Sequence, residues 1–146
     1  MKERGNSLLK IVDRYVGMPL VFLLGKIGER KRKSFDASFS SSLKITLLKT
    51  AAIGDTILLS SIIDDIRRQY PTAVVTFVCS ANNRKAVELL TGVNEIFQFE
   101  VYSPIKSLMQ LSRLPKQDLV IDFAPWARIN SIIVYSISAE CKVGFK

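Results

Sequence analysis

At 146 residues, 48% of them apolar, the chain is long enough for one domain with a single core and too hydrophobic to be disordered throughout. Its net charge of +8 is unevenly placed: residues 1–44 carry ten Lys or Arg against four Asp or Glu, residues 45–146 eleven against nine. The basicity belongs to an amino-terminal arm, which argues against a nucleic-acid groove across the domain, and the lack of any histidine excludes a Ser-His-Asp triad, a Cys-His pair and most catalytic zinc sites.

Residues 1–33 form the first unit. Leu8, Leu9, Val12, Tyr15 and Val16 recur at helical spacing, with Lys10, Asp13 and Arg14 elsewhere on the wheel. The uncharged stretch from Val16 to Gly25 is too short to span a bilayer, which takes about 20 residues, and Pro19 interrupts it. It runs into Lys26 and the cluster Arg30-Lys31-Arg32-Lys33, with no small-residue cleavage site of a secretory signal. Two readings stand: an interfacial helix on an anionic membrane surface, or a helix packed on protein. Residues 34–42 are serine-rich and aperiodic, a linker. The domain, residues 43–146, begins near Leu43.

From there strands and helices alternate. Leu43 to Leu48 is an apolar strand. A helix is expected from Asp55 to Tyr70, with Leu59, Ile62, Ile63, Ile66 and Tyr70 inward and Pro71 marking its end. Ala73 to Cys79 is a second strand, Asn82 to Leu90 a short helix, and Gly92 a turn. Glu95 to Phe99 is a third strand, Pro104 to Leu114 a helix, Asp118 to Phe123 a fourth strand. Arg128 to Ser138 is a helix, and Lys142 to Phe145 begins a fifth strand. Near-continuous apolar strands alternating with helices predict a parallel sheet covered on both faces. Right-handed crossovers make it a doubly wound, Rossmann-like α/β domain. Cys79 and Cys141 make no Cys-x-x-Cys pattern; Cys79 reads as a buried thiol, in keeping with a reducing cytosol.

In such sheets ligands bind beyond the carboxyl ends of the strands. Two loops of this kind stand out. The first is Lys49-Thr50-Ala51-Ala52-Ile53-Gly54-Asp55. Gly54 permits a tight turn or a positive φ. Asp55, at a helix start, reads either as an N-cap or as a general base for a hydroxyl. The loop lacks the three glycines of a dinucleotide fingerprint and is no Walker A loop, so a nicotinamide-dependent oxidoreductase is a weak alternative. The second loop is Asp122-Phe123-Ala124-Pro125-Trp126-Ala127-Arg128. Asp122 is placed at a strand end, Trp126 offers a stacking face for a sugar, and Arg128 and Lys49 could meet phosphate or carboxylate. Each also has a plain structural reading: a capping Asp, a core Trp, solvated charges.

Taken in order, LKITLLKT, AAIGDTILLSSIIDDIRRQYP, AVVTFVCSANNRKAVELLTGVNEIFQF, KQDLVIDF and INSIIVYSISAECKVGF resemble glycosyltransferase family 9, the lipopolysaccharide heptosyltransferases, over Leu43 to Phe145. The resemblance implies a GT-B enzyme with two Rossmann-like domains facing a cleft. The amino-terminal domain would bind a glycolipid acceptor, an inner-core lipopolysaccharide sugar. The carboxyl-terminal domain, expected beyond these residues, would bind the donor, ADP-heptose. Transfer would invert the anomeric centre with no metal and no resident cofactor; an Asp-x-Asp metal motif is absent from the sequence. The Asp of the I-G-D turn, the proposed general base of the family, falls on Asp55. Substrate-binding positions would be Lys49, Thr50, Gly54, Asp122, Trp126 and Arg128. A peripheral place at the inner face of the cytoplasmic membrane, held by residues 1–33, would suit a lipid-linked acceptor. The alternative is a non-catalytic membrane-tethered binding module or an inactive remnant.

Overall fold

The computed structural model describes residues 42–100, 102–124 and 128–144, the side chains of Arg128 and Ile129 excepted. The arm at 1–33 and nearly all of the linker lie outside the described residues.

The elements run β1 (Lys44–Leu48), α1 (Ile53–Leu58), α2 (Ser60–Gln69), β2 (Val74–Ser80), α3 (Arg84–Val87), β3 (Glu95–Phe99), α4 (Pro104–Ser112), β4 (Gln117–Asp122), α5 (Arg128–Ser136) and β5 (Ala139–Val143). The five strands form one sheet in the order β3-β2-β1-β4-β5. Every pairing is parallel, with Leu48 level with Val78 on one side and with Asp122 on the other. This is the doubly wound Rossmann-like α/β arrangement expected of the sequence.

The two faces follow from the period of two along each strand. Ile45 and Leu47 of β1 join Val75, Phe77 and Cys79 of β2 under Leu59, Ile63, Val87 and Leu90. Leu48, Val78, Phe99 and Val120 face the other way, under Leu111, Ile133 and Ile137. Helices α1 to α3 therefore cover one face, and α4 and α5 the other. Burying each such aliphatic side chain contributes about 1.5–3 kcal/mol.

Boundaries move where tertiary contacts compete with local pattern. The single helix expected over 55–70 is two helices joined at Leu59. Thr56, wholly buried, donates its hydroxyl to Ala52 O, and Ser61 donates to Leu58 O three residues back. Such back-bonding bends helices, and here it turns Leu59 inward while Leu58 faces solvent. The inner face of α2 is otherwise as expected: Ile63 is fully buried and Ile62, Ile66 and Tyr70 pack against it. Gly92 adopts φ 87, and an added Cβ would lie 2.9 Å from Ile63 Cγ2, so this turn needs glycine. The short helix is only Arg84–Val87, flanked by turns. The fifth strand starts at Ala139, three residues before its expected start at Lys142, and ends at Val143. As an outer strand it is only partly covered, so its residues mix polar and apolar types without a buried run.

Candidate functional site

The chain leaves β1 for β2 and β3 on one side, then crosses back to β4 and β5 on the other. The direction of winding reverses between β1 and β4, and at such a switch point the loops diverge to leave a crevice. The β1–α1 loop and the residues just past β4, Phe123 and Ala124, stand at this end of the sheet.

Lys49 ties the two loops together. Its side chain is 9% exposed, and its Nζ donates to Asp55 Oδ2 at 3.0 Å and to Phe123 O at 3.0 Å. One amine thus bridges the end of β1, the start of α1 and the end of β4. Asp55 is 61% exposed at its side chain. Its Oδ1 makes no hydrogen bond among the described residues, which leaves a carboxylate oxygen turned to solvent while the other is held.

Two expectations for this loop are corrected. Asp55 is not an N-cap: that position is Ala52, and no side chain caps the helix. Nor does Gly54 carry a positive φ; Ala52 does, at 65°. A left-handed conformation at a residue with a Cβ costs about 1–2 kcal/mol. Ala52 is held there because its carbonyl accepts from both Thr56 N–H, at 3.0 Å, and the Thr56 hydroxyl, at 2.9 Å. The helix therefore starts at Ile53, two residues before Asp55, and Asp55 stands in its first turn. Gly54 sits inside that turn, and a Cβ there would meet nothing within 4 Å among the described residues, which leaves space beside Asp55.

The support for the loop comes from residues whose importance sequence reasoning missed. Asn83, fully buried, donates to Lys49 O at 2.8 Å and to Thr56 Oγ1 at 3.0 Å, and its Oδ1 accepts from Ser80 N–H at 3.0 Å. Ser80 donates its hydroxyl to Thr50 O at 2.6 Å. Thr50 in turn donates to Asn130 Oδ1 at 2.9 Å, joining the loop to α5. The only local signal for this network is Ser80, the last residue of β2, followed by Asn82 and Asn83, polar residues at the end of an apolar strand.

Asp122 is the last residue of β4, level with Leu48 of β1. It is 8% exposed, and its Oδ1 accepts from Ala124 N–H at 2.9 Å. Burial pushes its carboxyl above the ordinary range, an effect offset in part by that N–H, by the Asn130 amide and by the Lys49 charge. The Asn130 Nδ2 is buried and makes no hydrogen bond of ordinary geometry among the described residues. Gly144 packs on the other side, where an added Cβ would lie 3.2 Å from Asp122 Cβ.

Lys49, Thr50, Gly54, Asp55 and Asp122 thus come together at one end of the sheet. Trp126 lies outside the described residues. Arg128 opens α5, and its side chain is likewise outside the description. Cys79 is buried and burial pushes its thiol up to about 11, which suits an inert core residue. Neither cysteine is in a disulfide. No group of three or more potential metal ligands occurs among the described residues.

The fold matches a solved enzyme. It superposes on the glycosyl transferase family 9 protein of Veillonella parvula DSM 2008 with a TM-score of 0.61 and 20% sequence identity. The match covers 70% of this chain and 32% of that one, so the chain spans about a third of the length of this neighbour. At that identity the likeness establishes the shared fold. No protein-family model and no curated protein matches the sequence.

Proposed function

We propose that this chain is the acceptor-side half of a glycosyltransferase of the heptosyltransferase kind, with Asp55 as its general base. The observation that carries the reading is the Asp55 carboxylate: one oxygen anchored by Lys49, the other open to solvent, beside the clear space at Gly54 and at the switch point of the sheet. The fold shared with a family 9 glycosyl transferase supports it.

In this reading an acceptor hydroxyl lies against Asp55 Oδ1. Its oxygen attacks the anomeric carbon of a nucleotide sugar, ADP-heptose in the first instance. The bond from that carbon to the diphosphate oxygen breaks, and the nucleoside diphosphate leaves with the electron pair. The hydroxyl proton passes to Asp55. Attack opposite the leaving group inverts the anomeric centre. Positioned base catalysis of this type contributes about 10²–10⁴-fold, and holding both substrates in line contributes more. Lys49 keeps the carboxylate in place while its second hydrogen bond, to Phe123 O just past β4, holds the amine. The acceptor is an inner-core lipopolysaccharide sugar, and the donor is held by a second Rossmann-like domain outside these 146 residues. No resident cofactor or metal takes part in the scheme.

The protein would work at the inner face of the cytoplasmic membrane, with residues 1–33 on the anionic surface. Among the described residues no helix is long and apolar enough to cross a membrane.

The deciding experiment is Asp55→Asn in the protein that carries this chain, assayed for sugar transfer to a core acceptor. Turnover should fall by about 10²–10⁴-fold with the thermal midpoint little changed. Full transfer by the variant would remove Asp55 from catalysis and place the base elsewhere in the protein; transfer by neither the parent nor the variant would favour a binding module.

A further inference from the structure

Helix α4 lies on the sheet face opposite α1 and α2, and its first turn emerges at the same carboxyl end of the sheet as Lys49 and Asp122. Its inner side is firmly seated. Leu111 is fully buried, and Ser107, also buried, accepts the Glu100 N–H at 3.0 Å. Its outer side combines exposed apolar side chains with cations. Tyr102 is 100% exposed, Ile105 74% and Met109 53%. These residues border a shallow groove of about 560 Å³ together with Lys106, Gln110 and Arg113. Ile105 and Met109 stand one turn apart, and Lys106, Gln110 and Arg113 follow the adjoining stripe.

Large apolar side chains left in water at this density mark a contact surface, and the charges say with what. Helix α4 has no acidic residue, and Lys106 and Arg113 make no ion pair among the described residues. The nearest carboxylate in sequence, Glu100, accepts from Gln98 Nε2. Pairing this face with a second copy of itself would bring two cationic stripes together. A surface of apolar interior and anionic rim satisfies both stripes at once.

We propose that the outer face of α4, with Tyr102 ahead of it, is a contact for an anionic lipid bilayer. Tyr102, Ile105 and Met109 enter the interface, and Lys106 and Arg113 lie among the headgroups. The inference rests on the acceptor-side reading in one respect: a bilayer at this rim of the sheet presents a lipid-linked acceptor to the crevice between β1 and β4. It is distinct from any contact by residues 1–33, because it places the membrane against the domain itself.

The test uses the full chain with Cys141→Ser and Met109→Cys, labelled at position 109 with an environment-sensitive fluorophore; Cys79 is buried and stays unlabelled. A matched control carries the label at Asp64→Cys, on the exposed side of α2. Vesicles of phosphatidylcholine with phosphatidylglycerol should shift the position-109 emission to the blue and expose it to a bilayer-embedded quencher, with the control unmoved. Lys106→Gln with Arg113→Gln should weaken this insertion about thirtyfold, and raised salt should weaken it too. A silent position-109 label on vesicle-bound protein would overturn the proposal, as would equal insertion into pure phosphatidylcholine. Binding of a soluble, delipidated core oligosaccharide, measured without vesicles, tests the acceptor reading separately. Its failure alongside a responding label would sink that reading and keep the lipid contact.

Discussion

The two loops that border the crevice hold their carboxylates in opposite ways. After β1 the backbone is pinned from outside: Asn83, Ser80 and Thr56 satisfy Lys49 O, Thr50 O and Ala52 O, and Asp55 itself stands in solvent. After β4 the chain depends on burial: Asp122 is enclosed, held by one backbone N–H and pressed by Gly144. A carboxylate in water, with one oxygen tied to an ammonium and the other unbonded among the described residues, is accessible to a hydroxyl. One that burial biases towards its neutral form serves better as a floor for the site. This difference in exposure, with one Asp55 oxygen open, is what supports the proposed role of Asp55 as base.

The comparison breaks most sharply at Asn83. Asn83→Ala strips partners from buried groups of the β1 loop at once and should cost about 3 kcal/mol of stability in urea unfolding. It should also release Lys49 and lower transfer, because the loop it holds carries Asp55. Equal stability with intact activity would show that the β1 loop organises itself without the network.

On the other loop the expected effect is smaller. Gly144→Ala drives a Cβ towards Asp122 and should cost about 1 kcal/mol by overpacking. Transfer should change little if Asp122 is a floor and not a reacting group. A large loss of turnover at unchanged stability would move catalytic weight from Asp55 to Asp122.

The mildest test is a change of slope. The folded-state shift of Asp122 is upward, so the native state holds its proton more tightly than the unfolded chain does. Its contribution to stability is therefore full below the unfolded value, near 3.8, and is lost as pH rises through the higher folded value. Asp122→Asn should remove that decline and be relatively more stable at neutral pH than at pH 3, compared with the parent. An unchanged difference between the two pH values would mean that Asp122 ionises as freely folded as unfolded.

Much of this was legible in the residues, and the exceptions have causes. Strand β3 was readable to the residue, and β1, β2 and β4 to within one; in β2 the run Val75 to Cys79 is buried on both faces and apolar but for Thr76. Strand β5 was misplaced because Glu140 and Lys142 interrupt it and leave no apolar run to mark its start. Lys49, Thr50, Gly54, Asp55 and Asp122 were named from their places just past or near strand ends, a rule of topology that requires only the strands.

What the sequence by itself determined was the class of fold, the winding about a parallel sheet, and the two loops where polar chemistry gathers. Those depend on local periodicity, which each segment carries alone. Only the tertiary structure decided that Lys49 spans to Phe123 O, that Ala52 and not Gly54 bears the left-handed turn, and that Asn83 supports the loop more than thirty residues before it. These are contacts between segments distant in sequence, and their energies arise only when packing removes water from both partners. A buried amide or amine must then find whichever group the sheet has brought within reach, and no local pattern records which group that will be.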